Sequence, residues 1–132
     1  MTPFALLCDL AGLSQREAGE FLKMSLSSVD KMRRGLRSAP PGALGELRHL
    51  IEKQERAAGE AYRLILASRE ADEIQLGYPA DDHEAQSLGW PCVGAWKAMA
   101  ARTMARIEAP FTLVPRGSTP TTAAAIDARE RR

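Results

Sequence analysis

The chain has 132 residues, a formal net charge of +1, 45% apolar residues and only 5% aromatics. That length holds one compact domain, or a small domain with an accessory piece, and its core must come from Leu, Ala, Val, Ile and Met rather than from rings. The near-neutral balance excludes a chain that is basic or acidic throughout, so any case for a charged partner rests on where the charges sit.

Abundant Ala, Leu, Arg and Glu favour helix over strand. No run approaches the roughly 20 apolar residues of a membrane span, and the first residues lack a basic stretch followed by an apolar signal region. A soluble cytoplasmic protein is therefore expected. Cys8 and Cys92 lie far apart, without a Cys-x-x-Cys pair or a neighbouring His. Structural zinc needs about four suitably spaced ligands, so no metal or cofactor is expected, and the cysteines read as reduced, partly buried thiols.

Thr2-Pro3 opens a short helix with Phe4, Leu6, Leu7 and Leu10, stopped by Gly12; Thr2 is the N-cap and Pro3 the first helical residue. Ser14 caps a second helix, and Glu17 three residues later completes a capping-box pattern. Its inward face is Ala18, Phe21 and Leu22. After a tight turn at Lys23-Met24, Ser25 caps a third helix that contains Val29 and Met32 and stops at Gly35.

Leu36 to Pro41 reads as a linker. From Gly42 to about Ala71, Leu44, Leu47, Ile51, Gln54, Ala58, Ala61 and Ile65 alternate spacings of three and four, a heptad seam. A helix of about 30 residues extends about 45 Å, too far for three short helices to cover one face. It either breaks near Gly59 or packs against a second chain.

Past Asp72 the texture changes. Ile74, Leu76 and Tyr78 alternate as in a strand, and Pro79 to Glu84 is a polar turn. Trp90-Pro91 starts a helix carrying Val93, Trp96, Ala100, Met104 and Ile107. Phe111 to Pro115 is a second strand, Gly117 to Pro120 a turn, and Thr119-Pro120 opens a last helix through Ala123, Ala124 and Ile126 before a polar tail. The expected fold is mainly α: residues 1–71 form a helix-turn-helix domain of four to five helices with a long linker helix. Residues 72–132 form a small α/β module, its strands flanking the Trp-bearing helix, for dimerisation or partner binding. Trp90 and Trp96 are expected anchors of a core or of a dimer interface.

The stretch Leu13 to Gly35, LSQREAGEFLKMSLSSVDKMRRG, carries the function. Two helices joined by a short turn cross steeply and need small residues at the contact, which Ala18 and Gly19 supply. Leu22, Met24, Val29 and Met32 then point to a shared apolar centre. The other side of the third helix presents Leu26, Ser27, Ser28, Asp30, Lys31 and Arg34, and such a helix fits a major groove about 12 Å wide.

These residues resemble the Cro-like phage-repressor, or xenobiotic-response-element, family of helix-turn-helix regulators. Ser14-Gln15, Ala18, Leu22, Met24-Ser25, Val29, Arg34-Gly35 and Pro40 carry the likeness, which covers about the first 50 residues. The resemblance implies a phosphate contact at Gln15, base readers at Leu26, Ser27, Ser28 and Lys31 on a helix opened by Ser25, and a phosphate clamp at Arg34. Three positions depart from the family pattern. Gly19 replaces the usual Ala at a cost of roughly 0.5–1 kcal/mol, Leu26 replaces a polar reader and would meet a thymine methyl, and Arg33 replaces an acid and adds positive charge. The overall plan is also similar to small anti-CRISPR-associated autoregulators.

Charge placement points the same way. Lys23, Lys31, Arg33, Arg34 and Arg37 stand against Asp30 alone, five cations less one acid, about +4 in this window. The expected protein is a dimeric regulator of double-stranded DNA, a repressor of a palindromic, inverted-repeat operator that includes its own promoter. The alternative is an antitoxin whose module after Asp72 binds a partner protein. Asp81, Asp82, His83 and Glu84 read as a turn capping a helix rather than a metal or acid–base site. His49 reads as a surface residue. Ser118, Thr119, Thr121 and Thr122 lack a nucleophile elbow and read as turn and cap. No catalytic residue is assigned.

Overall fold

The computed structural model describes residues 1–68 and 73–116. Its elements run α1 (Pro3–Leu10), α2 (Gln15–Leu22), α3 (Leu26–Arg34), α4 (Pro41–Ser68), β1 (Ile74–Tyr78), α5 (Asp82–Ser87), α6 (Val93–Ala105) and β2 (Phe111–Pro115). The protein is mainly helical with a small two-stranded sheet, as its composition predicts. The expected turn at 117–120, the last helix, the four hydroxyl residues between 118 and 122, and the residue at the 71/72 boundary lie outside the described residues.

The helix boundaries follow from side-chain chemistry. Thr2 Oγ1 accepts from the Ala5 N–H and reaches the Met32 and Arg33 carbonyls, so one hydroxyl caps the start of α1 and closes the end of α3. Ser14 and Glu17 exchange both bonds of the capping box at α2. Ser25 caps α3 by accepting from the Ser28 N–H.

The long helix does not break near Gly59. α4 runs unbroken for 28 residues, and the middle of its seam is covered within the same chain, while Ala61 and Ile65 are only partly buried. α6 lies along its middle and α1 against its first half, burying Leu47, Leu50, Gln54 and Ala58. A weak seam of one amide and small residues suits this partner, because a helix bearing Ala95 and Ala100 comes close.

β1 and β2 pair in parallel, Ile74 opposite Phe111 through Tyr78 opposite Pro115. The strands flank the Trp-bearing helix in chain order and pair with each other, α5 and α6 making the crossover that a parallel pair needs. That helix starts at Val93, two residues beyond Pro91, with Cys92 at its N-cap. Cys92 makes no side-chain cap bond; Asp82 Oδ1 accepts the Val93 N–H instead. Asp81 caps α5 by accepting from the Glu84 N–H. The acidic cluster thus serves two helix starts.

One core spans the described chain. Phe4, Cys8, Leu13, Val29 and Met32 share it with Leu47, Leu50, Trp90, Trp96 and Ala100, so residues on both sides of position 72 are packed together. Both indoles are core residues. Two contacts weld the halves. Gln54 Nε2 donates to the Ala11 carbonyl (2.9 Å) at the end of α1 and to the Ala95 carbonyl (3.0 Å) in α6. Gly12 and Gly94 meet backbone to backbone: a Cβ on either would lie 2.2 or 2.1 Å from the other's carbonyl oxygen. Around them, Glu55 on α4 pairs with Arg102 on α6 (2.7 Å) and with Arg106 at its C-cap (3.1 Å).

Gly94→Ala is expected to lower unfolding stability by about 3 kcal/mol, since only backbone movement relieves the overlap. Gln54→Leu leaves the buried Ala11 carbonyl short of a donor and costs about 2 kcal/mol. Urea unfolding of both variants reads these losses, and wild-type midpoints contradict the welded core.

Candidate nucleic-acid interface

α2 and α3 are each about eight or nine residues long and are joined at Lys23-Met24-Ser25. Lys23 takes the left-handed conformation at φ 58°, which turns the chain sharply and lets its N–H donate to the Gly19 carbonyl. The turn explains Gly19. A Cβ there would sit 3.0 Å from the Met24 carbonyl oxygen, so the residue that weakens α2 as a helix lets the turn close on it.

Val29 and Met32 are buried beneath α3, against Ala18 and the α1 residues Phe4 and Cys8 in one cluster. That fixes the opposite side of α3 toward solvent. Leu26 is 55% exposed, an isolated apolar side chain at the first helical position. Ser25, Ser27, Lys31, Arg34 and Arg37 are exposed as well.

Several of these side chains are held from behind. Gln15 Nε2, at the start of α2, reaches the Leu26 carbonyl at 3.4 Å and links the first turns of both helices. Ser28 Oγ receives bonds from Ser25 Oγ (2.9 Å) and from Arg37 Nη1 (3.1 Å). Ser28 is half-buried and engaged, whereas Ser27 beside it is open.

The cationic window divides in two. Arg34 pairs with Asp30 at 3.4 Å along the exposed side. Arg33 turns back to α1, with Nη2 3.1 Å from Asp9 Oδ1 and its side chain only 25% exposed. Its Nη1 is buried without an oxygen partner. The positive charge expected beside the reading surface from Arg33 is therefore spent on α1, because the spacing from Val29 places it on the buried side. Asp9, far away in sequence, is the residue that the charge window omits. Lys23, Lys31 and Arg37 make no ion pair among the described residues.

Titration follows the packing. Burial pushes the Cys8 thiol up against the opposing pull of Arg33, and burial pushes Cys92 up to about 11. Both thiols stay protonated. For Glu17, burial raises the carboxyl, but the bonds from Ser14 and Cys92 and the charge of Arg16 outweigh it and hold the group below its ordinary value. Glu55 is lowered first by its bond from Arg102, against some desolvation.

No protein-family model matches the chain, and no curated protein matches it.

Glu17 carries a pH prediction. Its folded value lies below its unfolded one, so its stabilisation is complete above the ordinary carboxylate range and disappears as pH falls through the folded value. Urea midpoints taken between about pH 6 and pH 3 should decline, and Glu17→Gln should flatten part of that decline. An unchanged slope in the variant would show that the capping box does not form. Independently, Lys23→Gly relieves the left-handed strain and should stabilise by about 1 kcal/mol.

Proposed function

We propose that the chain is a sequence-specific regulator of transcription that binds double-stranded DNA through α3. The observation that carries this reading is the separation of α3 into two sides. Val29 and Met32 hold it to the core, while Leu26, Ser27 and Lys31 are open together with the clamping cations Arg34 and Arg37. A helix so mounted enters the major groove with its first turn at base edges. Arg34 and Arg37 supply the phosphate neutralisation that dominates affinity. The resemblance to Cro-like regulators agrees with this geometry.

Within the reading, roles follow from accessibility. Leu26 contacts a thymine methyl, and Ser27 and Lys31 read polar base edges. Ser25, Ser28 and Gln15 position the first turn of α3, and Arg33 serves the fold. Two copies bind an inverted repeat, with half-sites about one helical turn apart, and repression follows from covering a promoter.

The second reading, an antitoxin with a protein partner, is favoured by one feature of the module. A cleft of about 370 Å³ opens between the sheet and α6, walled by Tyr78, Val93, Trp96, Met104 and Leu113. Leu113 is half exposed there, and nearly all of the wall is apolar. A second copy or a partner protein would cover it.

Selection of bound sites from random duplexes should return a two-fold symmetric sequence. On that site, Lys31→Ala is expected to cost about 1–3 kcal/mol and relax preference at one base pair. Arg34→Ala should weaken all sequences alike and lower the salt slope by about 1, while Arg33→Gln should lower folding stability more than affinity. Absence of any duplex binding at low ionic strength rejects the regulator; an unselective duplex binder that co-purifies with one stoichiometric protein favours the antitoxin.

A further inference from the structure

A larger concave surface shares none of its walls with the exposed side of α3. It lies between α2, α4 and the loop joining α5 to α6, with a volume of about 550 Å³, within the range of small-ligand sites. Phe21, Leu50, Trp90 and Pro91 make an apolar floor, and His49 and Lys53 stand over it one helical turn apart on α4. Lys53 Nζ lies 4.9 Å from the centre of the Trp90 ring and donates to the Gly89 carbonyl. Those contacts fix the ammonium in place but leave its charge uncompensated. Among the described residues no carboxylate pairs with Lys53 or with His49.

We propose that this cleft binds a small aromatic monocarboxylate. Its carboxylate meets Lys53 and His49, and its ring lies on the floor between Phe21 and Trp90. An anchored cation bordered by apolar surface strengthens a charge-assisted bond over its value in open water. The remaining polar walls set the limits. Gln86 Nε2 is engaged with the Pro91 carbonyl at 3.3 Å. Glu46 lies on the same cleft wall, one helical turn before His49 and two before Lys53, and repels a second carboxylate. The site therefore selects one negative charge, not two. The assignment stands apart from the DNA reading, and its test contains no DNA.

Phenylacetate added to the ¹⁵N-labelled chain, up to about 20 mM, should shift the Trp90 indole N–H saturably and leave that of Trp96, assigned from Trp96→Phe, in place. The neutral phenylacetamide should bind about tenfold more weakly, and 1,4-phenylenediacetate no better than phenylacetate. Lys53→Met should abolish the shift, and His49→Gln, an exposed position, should weaken it severalfold. No shift over the whole range, equal binding of acid and amide, or full affinity in a folded Lys53→Met protein overturns the proposal. If Lys53→Met fails to fold, the acid–amide comparison on the unaltered chain decides.

Discussion

The carboxamide of Gln54 reaches from α4 to the Ala11 carbonyl at the end of α1 and to the Ala95 carbonyl inside α6. An unpaired carbonyl at a buried helix end is expensive, and the amide nitrogen serves the one at Ala11 while also bonding a carbonyl of α6. Beside it the Gly12 and Gly94 backbones touch with no room for a side chain. The turn that leads into α2 is thus held directly against the first turn of α6. Every later feature depends on that weld, because it gives the α2–α3 pair a rigid base and gives α4 a cover inside its own chain.

Rigidity at the base makes the surface of α3 a fixed display. Its turn is built under strain at Lys23, the missing side chain at Gly19 makes room for the Met24 carbonyl, and its first residues are tied by Gln15 and by the Ser25–Ser28–Arg37 set. Electrostatics is divided by the same packing. Arg33 faces Asp9 and secures α3 to α1, whereas Lys31 and Arg37 keep their charge available. Neighbouring cations in sequence consequently have different surroundings, and a count of charges along the chain overstates what stays free on the surface.

The second half of the chain is tied in by both tryptophans, which are nearly covered by the common core. Its two strands are short, parallel and dependent on the α5–α6 crossover, with Asp81 and Asp82 starting the two helices of that crossover. The apolar wall beside the sheet and the cationic wall over Trp90 therefore sit on one scaffold, though they present different chemistry. One is an open apolar area, the other a fixed charge above an aromatic floor.

Local chemistry was readable from the residues alone. Thr2-Pro3, Ser14 with Glu17, Ser25, Gly12 and Gly35 are caps and stops whose effect is confined to a few neighbours, so the first three helices could be placed without tertiary information, as could the first strand from its alternation. The exposed and buried sides of α3 followed from helical spacing. Tertiary structure alone decided what covers α4, which way Arg33 turns, why Gly19 stands where alanine makes a better helix, and that Lys53 lies over Trp90. Each of these depends on a partner distant in sequence (α6, Asp9, the Met24 carbonyl across a turn, the loop after α5). Periodicity records that a side chain is buried, but it carries no record of which surface buries it.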